Sequence, residues 1–222
     1  MKPQVEARLL QATDQKQLDH LLKIYMNSFH PDERVGASIL RRIIKPSPAR
    51  IDPIHMYAAY CRGEMVGGAM TAVFPAFRSS FGSYIFVDPA RRGEGLGAAM
   101  LKVLLRKEKS TACPTGQLWR MYGEVTPRSG SNWHRTLARA GFRFFASPWP
   151  VPSYHEYGKV TLGRLGYFSF LRAAPARFSQ PAFLAYVYSR FYGPEAMHTL
   201  LLPRLRHFVA PSVPPEKHQD NL

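Results

Sequence analysis

Apolar positions along the chain change between a strand-like and a helix-like rhythm, and the changes mark its elements. Residues 5–12 read as a first strand. Thr13 or Asp14 stands where a helix cap belongs, with Gln17 spaced for a capping box on Asp14. Leu18, Leu21, Leu22, Tyr25 and Phe29 then share one helical face. Residues 30–34, HPDER, interrupt it, with Pro31 in a favoured first-turn position and Asp32 and Glu33 beside the new helix dipole. A second helix runs through Ile39, Ile43 and Ile44 until Pro46-Ser47-Pro48. From His55 the rhythm is that of strands: residues 56–60, a turn at Arg62-Gly63-Glu64, and residues 65–74 predict a hairpin. Residues 81–87 predict a third strand, ended by Asp88-Pro89. Leu96, Met100, Val103 and Leu104 return to helical spacing. A turn at 113–116, a strand at 118–125, a loop at 127–130 and a helix at 132–140 capped by Ser131 follow.

Beyond a proline- and aromatic-rich stretch at 147–158, two further helices are expected. Phe183, Leu184, Val187, Tyr188 and Phe191 lie on one, and Met197, Leu200, Leu201 and Leu205 on the other. A lid, a dimer contact and a membrane-surface element are all open to them, and packing on the same core is the simplest reading. From Pro211 the tail is polar and proline-rich, the composition of disorder. The expected division is a main domain at 1–160, a helical extension at 161–210 packed on it, and the tail at 211–222. There is no internal repeat.

Composition narrows the class. A chain of 222 residues suits one domain with an appendage and can bury a core without staples. No apolar run approaches the roughly 18 residues of a membrane span, and the first residues lack the apolar core of a secretory signal. Cys61 and Cys113 are solitary, so neither zinc nor a disulfide framework is indicated, and a reducing cytoplasm is the simple inference. The net charge of +15 admits an anionic partner such as nucleic acid. Yet the charges are spread from Arg8 to Arg206 with no run of five basic residues, so a solvated arginine-rich surface is favoured.

Chemistry concentrates in YIFVDPARRGEGLGAAMLK, residues 84–102. Gly93, Gly95 and Gly97 alternate between a strand and a helix. Their missing side chains let a ligand lie on the amides, and the new helix's free N–H groups and dipole favour an anion. Arg91 and Arg92 stand at the mouth. A bare triplet is also what a tight strand-to-helix turn looks like. A dinucleotide fingerprint needs its third glycine one residue later, and a Walker loop needs Gly-Lys-Ser/Thr, absent here.

Arg92-x-x-Gly95-x-Gly97, directly after Val87-Asp88-Pro89, resembles the acyl-CoA loop of the GNAT superfamily of acyl-CoA-dependent N-acyltransferases. The order strand, two helices, three antiparallel strands, glycine loop is also that of the GNAT fold. NWHRTLARAGFRFF resembles the family's N-x-x-A-x-x-L-Y-x-x-x-G-F segment at its Gly-Phe end; the asparagine, Asn132, is out of register, and Leu137 stands where the family has a tyrosine. The resemblance covers about residues 8–160. It implies an α/β (α+β) fold with a mixed, largely antiparallel sheet flanked by helices.

It further implies acetyl-CoA or another acyl-CoA as co-substrate and a primary amine as acceptor, attacking directly in a ternary complex, with no metal. The family binds pantetheine on backbone at the end of the fourth strand, which maps to Ile85, Phe86 and Val87. The pyrophosphate would take loop amides at Arg92, Gly93, Glu94, Gly95, Leu96, Gly97 and Ala98, with Asn132 also assigned to the cofactor. An alkyl ammonium, with a pKa near ~10, must lose a proton before it can attack. Some members use a glutamate in the fourth strand, but that position is near Phe81 here. Others use the glutamate of an L-E-V sequence in the fifth, and Glu124-Val125 carries that pair, which makes Glu124 the expected base; a surface strand glutamate is the alternative. For the acid, Tyr122, Tyr84 and His134 are candidates. The acceptor would enter between 29–34, where His30, Asp32 and Glu33 either contact it or merely start a helix, and 148–157, with Trp149, Tyr154 and Tyr157. Aromatics, prolines and surrounding arginines there suggest an enclosed pocket for a small neutral or acidic amine rather than basic tails. A non-catalytic basic GNAT-like module, nucleic-acid-associated, is the alternative function, and a homodimer is left open.

Overall fold

The computed structural model describes residues 3–44, 52–110, 117–126, 130–153, 159–171, 179–193, 195, 197–201 and 203. Eight strands form one sheet: β1 (Glu6–Leu9), β2 (Ile54–Cys61), β3 (Glu64–Phe74), β4 (Ser79–Val87), β5 (Arg120–Val125), β6 (Arg143–Phe144), β7 (Trp149–Pro152) and β8 (Val160–Ser169). Their order is β1-β2-β3-β4-β5-β8-β6, with β7 paired to β8 off that path. Every pairing is antiparallel except β4 with β5. The helices are α1 (Gln15–Ser28), α2 (Ala37–Ile44), α3 (Leu96–Ser110), α4 (Gly130–Arg139) and α5 (Gln180–Tyr192). This is the mixed α/β architecture that the family resemblance implied.

The helices divide by the face they cover. Leu18, Leu21, Leu22 and Tyr25 of α1 and Leu40 of α2 pack on Met56, Ala58, Met70, Tyr84 and Phe86. On another layer, Leu101, Leu104 and Leu105 of α3 meet Tyr57, Ala69 and Met121. The alternation of strand side chains explains this: Tyr84 and Phe86 go to the α1 side, while Ile85 and Val87 pack with α3. The buried stripe of α3 runs through Leu101 and Leu105, and Val103, expected on it, is only half-buried. At its inner end the wholly buried Glu108 accepts bonds from Tyr57 and Thr71 hydroxyls, each at 2.9 Å.

Three local expectations change. Asp14 precedes α1 but makes no side-chain cap; its carboxylate turns back to accept from the Gln11 N–H at 2.7 Å, which forecloses the capping box with Gln17. Pro31 begins a 3-10 turn, Pro31–Glu33, and α2 starts only at Ala37. Helix α4 begins at Gly130, so Ser131 lies inside it. The hairpin forms as expected, closed by Arg62 and Gly63, both at positive φ.

Past residue 159 the chain first makes β8, a sheet strand lying between β5 and β6 for which the sequence reading has no counterpart. Then α5, capped by Ser179 with Gln180-Pro181 in its first turn, seats Phe183, Leu184, Val187 and Tyr188 against Phe74, Phe81, Tyr122, Trp149 and Leu165. Phe191 is half-buried, and a π turn at Met197–Leu201 adds a buried Leu201. Helix α5 therefore packs on the core. Leu205, Cys113, Tyr154, Tyr157 and the tail from Pro211 lie outside the described residues. Among the described residues no helix is long and apolar enough to cross a membrane.

Candidate active site

The site begins with an interrupted pairing. Parallel strands β4 and β5 are in register only from Ser79↔Arg120 to Gly82↔Gly123, although β4 continues to Val87 and β5 to Val125. On the other side, Thr71 faces Gly82 while Met70 faces Tyr84, so Ser83 is an extra residue in β4. Such a bulge bends its strand and raises its twist. It sits where the two strands part. Backbone groups of β4 past this point have no partner on β5, and a cleft of about 600 Å³ lies there.

Four elements supply most of its walls, beside Ser28 and Phe29 at the end of α1 and Glu33 before α2. Gly82 to Val87 of β4, Met121 to Glu124 of β5, the loop into α3, and Asn132, Trp133, Thr136 and Leu137 of α4 all line it. In the loop, Gly93 and Gly95 have φ of 87° and 76°, a region that L side chains resist, which accounts for glycine at both. A Cβ on Gly93 would meet open space, and on Gly95 only the Pro3 ring at 3.8 Å, so the described residues leave the loop open at these two positions. The first N–H groups of α3 thus face an open cleft, an arrangement suited to an anion. Arg92 donates to the Ser28 carbonyl at 2.9 Å, fixing it beside the end of α1. Arg91 is held by Glu94 at 2.7 Å and Glu64 at 3.1 Å, and its hydrogen bond keeps the Glu94 carboxyl below the usual range.

The sequence-predicted residues divide between wall and core. Ile85, Phe86, Val87, Arg92, Gly93, Gly95, Leu96, Gly97, Ala98 and Asn132 line the cleft; Glu94, turned to Arg91, does not. Tyr122 contributes to the wall, but its hydroxyl accepts from Arg120 at 3.2 Å within the aromatic core beneath α5, and burial pushes it up to about 12. His134 lines neither cavity and stacks on Phe144, centroids 4.1 Å apart.

Glu124 lies at a junction. A second cavity, about 60 Å³, adjoins the cleft, and Glu33, Tyr84, Glu124 and Thr126 line both. Tyr84 packs edge-on to Tyr25 and Phe29, at 5.0 and 5.2 Å. The Thr126 hydroxyl, just past the end of β5, donates to Glu33 at 2.6 Å and draws that carboxylate in. Asp32, Val151, Pro152, Ser153, Lys159 and Thr161 complete the small cavity. Its wall is therefore richer in carboxylates than the arginine-rich surroundings suggested, with Lys159 4.0 Å from Asp32.

The Glu124 carboxylate is gripped from behind. Trp149 of β7 donates its indole N–H to Oε2, and Tyr192 of α5 its hydroxyl to Oε1, both at 2.8 Å. Burial raises the Glu124 carboxyl above the usual range, and these two bonds oppose that rise. Neither partnership was anticipated. Tyr192 stands four residues after Tyr188, so helical spacing would have put it on the same face; nothing in the sequence ties Trp149 to β5.

Residues 17–123 match the model of the Acetyltransferase (GNAT) family. No curated protein sequence matches the chain. Among solved structures, a GNAT-family protein from Bacteroides thetaiotaomicron superposes with a TM-score of 0.65 at 17% identity, over 85% of this chain and 98% of that one. The ribosomal-protein-S18-alanine N-acetyltransferase from Escherichia coli gives 0.54 at 17% identity, over 79% and 99%. A protein from Salmonella typhimurium, solved with its cofactor acetyl-CoA, gives 0.53 at 16%, over 78% and 98%. Identities this low speak for a shared fold, that of the GNAT neighbours, and residues 17–123 match the family's model.

Proposed function

We propose that the protein is an N-acyltransferase that moves an acetyl or other acyl group from acyl-CoA to the primary amine of a small molecule, by direct attack in a ternary complex. The carrying observation is the junction: Glu33, Tyr84, Glu124 and Thr126 form a wall shared by the open cleft and the small cavity. Acyl-CoA suits the cleft, whose bare glycine loop and helix N-terminus are complementary to a pyrophosphate. Ile85 and Phe86 of β4 lie past the end of its pairing with β5 and line the cleft, where pantetheine would run along them. The thioester supplies an acyl carbon already activated for attack.

The amine suits the small cavity. It arrives as an ammonium, and Asp32 and Glu33 favour its entry. Glu124 then takes a proton from it. The new C–N bond forms as the C–S bond breaks, the second N–H proton passes directly or through solvent to the departing thiolate, and CoA leaves as its thiol. Burial raises the basicity of Glu124 toward what this transfer needs. Tyr122 is a poorer acid candidate because its hydroxyl is sunk in the core, and His134 because it is remote from both cavities.

The test is thiol release from acetyl-CoA across a panel of amines and amino acids, beside titration with RNA and DNA. Turnover of small amines is expected. The non-catalytic basic module would instead show salt-sensitive nucleic-acid binding without turnover.

A further inference from the structure

Helix α5 lies outside residues 17–123 and lines neither cavity, yet it reaches the junction through Tyr192. Its placement is over-determined. Arg120 donates to Gln180 at 2.6 Å, Tyr186 to Asp52 at 2.8 Å, and Arg190 pairs with Asp52 at 3.3 Å. Tyr188, wholly buried, donates to the Pro150 carbonyl at 3.0 Å and meets Trp149 edge-on with centroids 5.3 Å apart. Tyr192 stacks against Tyr188 at 4.8 Å. One helix therefore supports both donors to Glu124: Tyr192 directly, and Trp149 through Tyr188.

We propose that Tyr192 is a positioning residue for Glu124, and that the C-terminal helix is in this way a working part of the active site. This rests on Glu124 being the base. A carboxylate on strand β5 alone has rotamer freedom and rising cost as it is buried. Two donors, neither of which lines a cavity, fix its plane, favour its charged form and leave the other lone pairs for the amine. Other titratable groups face it across the small cavity: Asp32 and Glu33 before α2, Tyr84 on β4, and Lys159 before β8. The two acids oppose ionisation and Lys159 favours it, while the Tyr192 and Trp149 bonds act on the side of the charged form against burial.

Tyr192→Phe keeps the ring, its stacking and the helix, and removes only the hydroxyl. The full-length variant is compared with the parent in two ways. In the absence of substrate, a carbon-13 NMR titration of Glu-labelled protein, with Glu124→Gln assigning the resonance, reads the Glu124 carboxyl. In turnover, the pH dependence of kcat/KM is recorded with acetyl-CoA and the best amine of the panel. The carboxyl should titrate about one pH unit higher in Tyr192→Phe, the scale of one charge-assisted hydrogen bond. The acidic limb should move with it, and kcat should fall several-fold below the limb with the KM for acetyl-CoA unchanged. Tyr192→Leu, lacking ring and hydroxyl, should show at least the same shift. An unmoved Glu124 titration in a folded Tyr192→Phe overturns the proposal whatever the kinetics. A moved titration with an unmoved rate profile retains the positioning and removes Glu124 as the base.

Discussion

Glu124 illustrates how one side chain is set by opposed forces. Burial disfavours its charge, while Trp149 and Tyr192 favour it, and the net direction is a raised carboxyl. The sign of the stability effect follows. Between the ordinary glutamate value, about 4.3, and its raised value, the folded protein holds a proton the unfolded chain has released. Stability therefore falls as pH climbs through that window, and above it the whole cost of the buried charge applies. Glu124→Gln removes the cost and can satisfy both neighbours, its carbonyl accepting from Trp149 and its amide donating to the Tyr192 oxygen. Thermal melts from pH 4 to 8 should give a variant at least as stable as the parent at pH 8, with a flatter pH dependence. A variant several degrees less stable at every pH would mean that the carboxylate is a net anchor of the fold. Residue-scale reading of the sequence found Glu124 through its Glu-Val pair. It found neither donor, because a hydrogen bond between residues 68 positions apart in sequence leaves no local pattern.

Among the elements, the turn into α3 was the most legible. Positive φ demands glycine at 93 and 95, so local chemistry and backbone shape coincide. Strand β8 was the least legible, because Gly163 and Gly166 break its apolar pattern. Both are there for close approach: a Cβ would come within 2.6 Å of the Val125 carbonyl oxygen at 163 and 2.8 Å of the Phe144 ring at 166. For the loop, Gly95→Glu sets a carboxylate where a phosphate is proposed to lie. There is room for the side chain, so the fold should survive with about 1 kcal/mol of backbone strain. Calorimetry should find CoA binding abolished in Gly95→Glu and weakened only modestly in Gly95→Ala, which carries the strain without the charge. Equal affinities in folded Gly95→Glu and parent would remove the loop from the site.

At the scale of the molecule, period and punctuation marked most of the elements from β1 to α4, while the mixed sheet flanked by helices was what the family resemblance implied. The cleft did not follow from period or punctuation, since it arises from where β4 and β5 stop pairing, a property of neither strand alone. Nor did the acidic lining of the small cavity, gathered from the turn before α2 and from β5, emerge from a chain of net charge +15. Global charge is a poor guide to a cavity because exposed charges are screened within about 8–10 Å at physiological salt. The central claim is that this junction performs base-assisted acyl transfer, and the pH–rate profile of Glu124→Gln against the parent tests it most directly. The account predicts turnover lowered by about 10²–10⁴-fold at neutral pH, narrowing as pH rises and the amine deprotonates unaided. Profiles that superimpose across the whole range would contradict it.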